Sequence, residues 1–388
     1  MGVFVISSTL NFLDRALLNV LAPLIMAELH FNQTGFGFLI SAFSLAYAAS
    51  SLVTGWFLDR AGINRGITAA VCWWSAAAVS TALVRGFGGL AVCRAALGVG
   101  ESAGVPAVGK LNGLYLKPEE RALGAAVNQI GISLGTMIAA LSVGFAVAHS
   151  WRLPFVITGL LGFFWVPVWL FVSSSIKPQY AAEIAGQIRP SFGLLRDRSL
   201  ILLTISNVLW MGVYSLWMNW TSLYLIHVKN LTLKESASYV WIPPLVSNFG
   251  GFFGGWLSLQ WIRRGVDIVV ARRRAVWVSA VASLGTFALP LAPDARWATA
   301  IISLSLFFAL AGSVNIYALP IDLFGAARSG LGIAALTCAY GVSQMFISPL
   351  IGYLGDHHLY TQVIWIATVP LILSAWVLQR IRPAERLV

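Results

Sequence analysis

Twelve apolar stretches of about twenty residues or more, separated by short polar breaks, limit what this chain can become more than any other feature. They run roughly over 3–26, 35–58, 66–84, 88–114, 121–148, 153–175, 199–226, 236–260, 274–293, 297–320, 329–353 and 360–380. A helix of about 20 residues crosses a hydrocarbon core of about 30 Å, whereas a membrane strand needs only about ten residues of alternating character. The runs are continuous rather than alternating, so the expected fold is an all-α membrane protein with 12 transmembrane helices. Of the 388 residues 58% are hydrophobic and 10% are charged, against about 25% charged in a soluble domain.

The longest polar connection, from Ile176 to Arg198, divides the segments into two sets of six. The expected organisation is therefore two pseudo-symmetric six-helix bundles, residues 1–175 and 199–388, joined by a cytoplasmic linker over 176–198. The second bundle ends in a short basic tail.

A net charge of +11 with a pI near 10.0 would also suit a nucleic-acid binder, so the placement of the cations decides between the two readings. Of the 25 Lys and Arg, 17 fall on one side of the segment map, 5 on the other, and Arg15, Arg94 and Lys110 fall inside segments. That is the positive-inside bias; it places both termini and the linker in the cytoplasm and leaves nucleic acid without a role. His30, His149, His227, His357 and His358 all fall at the opposite, external ends, as loop residues rather than proton relays. Cys72, Cys93 and Cys338 lie in apolar segments without metal-ligand spacing, so neither a disulfide framework nor a metal or other cofactor is expected. No cleavable signal pattern is present, and only thirteen residues precede Asp14, so the first segment reads as shortened.

Charges inside such segments are costly, about 2.5 to 3.5 kcal/mol for Arg, Lys or Asp at a helix centre, and mark functional sites by default. Two clusters stand out. Asn11-Phe12-Leu13-Asp14-Arg15 lies in the first segment, and Arg94 and Glu101 lie in the fourth, seven residues apart and so within about 20° of one helix face. Lys110 follows near the cytoplasmic end of that segment, where it can either snorkel or meet a substrate. Between the second and third segments stands Gly55-Trp-Phe-Leu-Asp59-Arg60-Ala-Gly62-Ile-Asn-Arg65, and Gly255-Trp-Leu-Ser-Leu259-Gln-Trp-Ile-Arg263-Arg264-Gly265 repeats its place in the second half. This weak repeat supports two related bundles, with Leu259 standing where the first copy has an acid.

At these residues the chain resembles the major facilitator superfamily and, within it, the anion:cation symporter family of hexuronate- and galactonate-type transporters. The Gly55 to Arg65 loop marks the superfamily. Asn11 to Arg15, Ser41 to Tyr47, Arg94 to Lys110, Lys117 to Gly124 and Ser150 to Gly159 carry the closer likeness. The resemblance implies proton-coupled import of an organic anion, a sugar acid or small carboxylate, by alternating access across a bacterial inner membrane. It implies Asp14 and Glu101 as proton-binding acids, Arg15 and Arg94 as their partners or the holders of a substrate carboxylate, Tyr47 as a substrate hydrogen-bonder, and Gly55, Asp59, Arg60, Gly62 and Arg65 as the gating loop. Phe12 stands where galactonate-type members carry tyrosine. Val314 to Tyr317 and Thr337-Cys338 depart from the sugar-acid pattern in the tenth and eleventh segments.

Burial raises a carboxyl pKa and a nearby arginine lowers it, so an acid beside a mobile salt-bridge partner can be switched between its two forms. A guanidinium released by that switch suits a carboxylate, because its fork meets both oxygens. The rest of a central site is expected from Asn128 and Gln129 in the first half and from Tyr214, Trp217, Asn219, Trp220, Asn315 and Tyr317 in the second. Pro106, Pro243, Pro244, Pro320 and helix glycines such as Gly131, Gly135, Gly250 and Gly251 serve either bending or close helix packing. The expected partners are a small organic anion, H⁺ and lipid, with the chain acting as a monomer. A membrane enzyme is disfavoured, since neither a nucleophile–base pair nor a phosphate loop is present. A drug or metabolite exporter and a non-transporting sensor of the same fold remain alternatives; two intramembrane arginines disfavour cationic drugs, and a sensor has no need of both acids.

Overall fold

The computed structural model describes residues 2–115, 121–175 and 192–381, and these are helical almost throughout. Fourteen α-helices occupy them. The first seven are α1 (Gly2–Leu29), α2 (Gln33–Ala61), α3 (Ile63–Thr81), α4 (Phe87–Glu101), α5 (Gly104–Tyr115), α6 (Arg121–Ala148) and α7 (Arg152–Ser175). The others are α8 (Arg198–Lys229), α9 (Leu233–Val240), α10 (Ile242–Arg263), α11 (Ile268–Ala282), α12 (Ala295–Phe324), α13 (Ala326–Asp356) and α14 (Tyr360–Leu378). Nine stretches among the described residues are long and apolar enough to cross a membrane unaided.

The fourteen helices match the twelve expected segments because segments that read as continuous are interrupted. The fourth breaks at Ser102-Ala103 between α4 and α5. The eighth breaks at Trp241, where Pro243 and Pro244 remove two backbone donors from the first turn of α10. The ninth narrows from α11 into a 3-10 helix over Ser283–Leu291, with Pro290 inside it.

Several helix starts are fixed by an acid or amide ahead of the first turn. Asn32, Asp197, Asp267 and Asp294 each accept a backbone N–H two or three residues on, from Gly35 at 3.0 Å, Ser199 at 2.7 Å, Val269 at 3.0 Å and Arg296 at 2.8 Å. At α9, Thr232 and Glu235 cap each other, the Thr232 N–H donating to Glu235 at 2.8 Å and the Glu235 N–H to the Thr232 hydroxyl at 3.3 Å. His30, Asn230 and His358 take left-handed backbone angles within two residues of the ends of α1, α8 and α13. All five histidines are exposed at such ends, as their loop assignment requires.

The chain forms two compact units. The first takes Met1–Gln187 with Thr232–Ser238 and Gln344–Asp356; the second takes Ile188–Leu231, Tyr239–Ser343 and His357–Val388. Most of the expected 176–198 linker lies outside the described residues. In the first unit α1 packs on α6, α2 on α4, and α3 on both α4 and α7. Helix α7 shows how the sequence divides its faces. Phe155, Thr158, Gly159, Gly162, Trp165 and Trp169 recur at helical spacing and are buried, while Leu160, Phe164 and Phe171 point outward. An apolar outer face on so hydrophobic a helix is what lipid contact demands. The start of α2 is closed by the last residue of α13, since Asp356 accepts from the Gln33 and Thr34 N–H groups, each at 2.9 Å, and from the Thr34 hydroxyl at 2.6 Å.

In the second unit α12 is the hub, contacted by α8, α10 and α11. Glycines decide the α10–α12 contact. A methyl group added to Gly250 or Gly254 would lie 2.0 Å from the carbonyl oxygens of Phe307 and Ala311 respectively. Close packing is therefore what these glycines provide, and Gly135 does the same for α6 against the Thr9 carbonyl of α1. Gly254→Val should lower detergent-solubilised stability by about 1–3 kcal/mol or more through overpacking, read as a fall in thermal unfolding temperature. An unchanged midpoint would show that the two helices are free to separate.

The repeated loops share their backbone. Gly62 between α2 and α3 has φ +81° and Gly265 between α10 and α11 has φ +82°, left-handed values that glycine adopts without cost. The counter-charge is not shared. With Leu259 in place of an acid, the second copy draws one from α12: Arg272 pairs with Asp322 at 3.1 Å and also donates to Ser258 at 3.1 Å and Asn315 at 3.3 Å.

Candidate functional site

Four ionisable side chains from α1 and α4 meet inside the first unit. Asp14, Arg94 and Glu101 are 1%, 2% and 0% exposed, so none of the three is turned outward. Arg15 donates through Nε to Glu101 Oε2. The ion pair thus links α1 to α4. Asp14 accepts instead from the Thr158 hydroxyl of α7. Arg94 has Asp14 and Glu101 as its acidic neighbours, sits 5.4 Å from the Phe155 ring centre, and keeps Nε and Nη2 without a hydrogen-bond partner.

Arg15 is held on several sides. Its guanidinium carbon lies 4.9 Å from the ring centres of Phe12 and Phe43 and 5.0 Å from that of Tyr47, an aromatic cage around the cation. Its side chain keeps 27% of its surface exposed. That surface borders a hollow of about 440 Å³, counted to its open mouth, whose lining includes Asn11, Arg15, Tyr47, Trp74, Glu101 and Asn128. Asp14 and Arg94 do not line it; they are buried close by.

Among the expected substrate residues, Arg15, Tyr47 and Asn128 therefore share one hollow with Glu101. Asn128 accepts from the Ser8 hydroxyl. The side chain of Gln129 lies outside the described residues, as does that of Asp59. In the second unit, Trp217 is 1% exposed and donates to Ser305 at 3.1 Å. Asn315 is fully buried, donating to the Gly254 and Ala311 carbonyls at 2.9 Å each while accepting from Arg272. Both are engaged with protein partners in the interior of that unit. Asn219 donates to Ser215 at 2.9 Å, and Tyr317 is half-buried on α12. In the gating loop, Gly55 and Gly62 face open space, Arg60 lies 5.7 Å from the Trp56 ring centre and Arg65 is exposed. Lys110 donates to the Leu58 carbonyl at 2.7 Å and so ties α5 to the last turns of α2.

Sequence reasoning missed Thr158, the Phe43 face of the cage and the Arg272–Asp322 pair, and it gave Asn11, though inside the first cluster, no role of its own. Only Asn11 carried a readable signal, since it stands four residues before Arg15 and hence on the same face of α1.

A sequence profile described as the Major Facilitator Superfamily matches residues 4–319. The chain belongs to that superfamily. Similar curated proteins include the "Hexuronate transporter" of Escherichia coli K12, 28% identical over 343 residues and covering 82% of this chain and 78% of that protein. The "Galacturonate transporter" of Dickeya chrysanthemi is 28% identical over 303 residues, covering 73% and 88%. Among solved structures, a bacterial homologue of the human lysosomal transporter Spinster superposes with a TM-score of 0.76 at 19% identity, over 98% of each chain; this likeness speaks to fold alone. The chain is thus a membrane transporter of the superfamily and not an enzyme, as the motif resemblance implied.

Proposed function

We propose that this transporter carries an organic anion, a sugar acid or small carboxylate, together with H⁺, by alternating access. The observation that carries the reading is the Arg15–Glu101 ion pair at a largely apolar hollow, with Asp14 and Arg94 buried close by. A guanidinium shared between an internal carboxylate and a substrate carboxylate couples the two: when Glu101 takes a proton, its claim on Arg15 weakens and the incoming anion replaces it. Asp14, within the charge field of Arg94, supplies a second group able to change protonation with the same cycle. The names of the hexuronate and galacturonate relatives agree in substrate class. Under this reading the protein works as a monomer in a bacterial inner membrane, both termini in the cytoplasm, with Gly55 to Arg65 gating the cytoplasmic end and import as the direction of flux.

The test is uptake of labelled hexuronates, aldonates and small carboxylates into proteoliposomes under an imposed pH gradient, acid outside. Accumulation of at least one anion that collapses with a protonophore is expected. Uptake that ignores the gradient removes the proton, and transport of cationic or neutral compounds alone removes the anion.

A further inference from the structure

The hollow holds a donor and an acceptor that do not meet. Asn11 is 5% exposed, borders the hollow, and its Nδ2 has no hydrogen-bond partner. Glu101 lines the same hollow, and its Oε1, whose sister oxygen holds Arg15, is also without a partner. Buried polar atoms are nearly always satisfied, and leaving one unpaired is costly, so two such atoms on residues lining one hollow point to a group that enters it. Water fits, and so does a hydroxyl. Among substrate groups, a hydroxyl is the one that accepts from an amide N–H and donates to a carboxylate oxygen at the same time. A carboxylate or an ether oxygen can accept from Asn11 but has no proton to donate to Glu101 Oε1.

Asn11 and Arg15 are one helical turn apart on α1, and Glu101 Oε2 is bonded to Arg15. An oxygen held between Asn11 and Glu101 therefore lies beside the guanidinium that receives the substrate carboxylate. We propose that Asn11 contacts substrate and that, with Glu101, it selects open-chain organic anions bearing a hydroxyl on the carbon next to the carboxylate. A hexuronate ring carries an ether oxygen on that carbon and is read less well. This selection rests on the proposed anion site.

The experiment is equilibrium binding to the full chain purified in detergent, in two pairs: D-gluconate against 2-deoxy-D-gluconate, and L-lactate against propionate. In the wild type the hydroxy acid of at least one pair should bind about 10- to 100-fold more tightly, the penalty for leaving a buried donor and acceptor unpaired. Asn11→Leu should lose most of that ratio by weakening the hydroxy acid while leaving its deoxy partner within about twofold. Asn11→Asp, close in shape but without the amide donor, should lose it too. A wild type that binds both members of each pair equally overturns the selection without touching the anion reading, and it requires no variant to fold. Equal weakening of both members in Asn11→Leu and Asn11→Asp overturns it as well, since it marks a merely structural residue. Failure of the wild type to bind any of the four carboxylates overturns the selection, while the anion reading stands or falls with the uptake panel that includes hexuronates.

Discussion

Glu101→Gln is expected to reduce gradient-driven anion accumulation in proteoliposomes by at least about tenfold while leaving anion binding within a fewfold of wild type. The argument is local. Glu101 is wholly buried and holds Arg15 through one oxygen. A glutamine keeps the shape and one acceptor but can neither bind nor release H⁺, so the link between proton and cargo goes while Arg15 stays in its aromatic cage. With the competing internal charge gone, binding at Arg15 should hold or tighten, and anion–anion exchange, which needs no net proton movement, should continue. The decisive comparison is accumulation with and without the gradient against exchange in the same vesicles. Wild-type accumulation by the variant would end the proton role of Glu101; loss of binding as well would make it a scaffold for Arg15 rather than a coupler.

The second large effect concerns stability. Arg94 is 2% exposed and its acidic neighbours are Asp14 and Glu101. Arg94→Gln removes the cation that faces both and leaves Arg15 to balance two carboxyl groups in the interior. Removing one member of a buried charge set costs about 3–5 kcal/mol, so the variant should express poorly and unfold at markedly lower temperature in detergent. Asp14→Asn on the same background should recover much of that loss, because it restores the balance of charge while keeping side-chain volumes. Thermal unfolding of the two single variants and the double variant closes the cycle, and a coupling of at least about 1 kcal/mol is expected for neighbours of this kind. Strict additivity would mean that Asp14 and Arg94 ignore each other.

Much of this architecture could be read from residue order because the signals behind it are local. Runs of apolar residues set the helices within a few positions, whereas the left-handed backbone at Gly62 was not read from the loop's sequence. The membership of the ionic cluster was legible too, since a charge in an apolar run has few places to hide. The pairing was not. Which carboxylate Arg15 takes depends on how α1 and α4 lie against each other, and spacing along a single helix does not state that. The same limit explains Asp322: with Leu259 in the loop, sequence suggested a weakened charge contact, whereas the acid comes from a helix distant in the chain. Trp217 and Asn315 looked like candidates for substrate because they are polar or aromatic in a membrane helix, yet Ser305, Gly254 and Ala311 already engage them. The breaks at Ser102-Ala103 and Trp241 escaped hydropathy because a helix end inside an apolar run leaves hydropathy unchanged.

The rings of Phe12, Phe43 and Tyr47 surround the guanidinium of Arg15, a set of contacts separate from its bond to Glu101. The positive pole is consequently stationary, and the anions take turns at it. A fixed post of this kind spares the cycle the work of swinging a long cationic arm through an apolar interior, and it confines the traffic to a proton and a cargo arriving at the same spot.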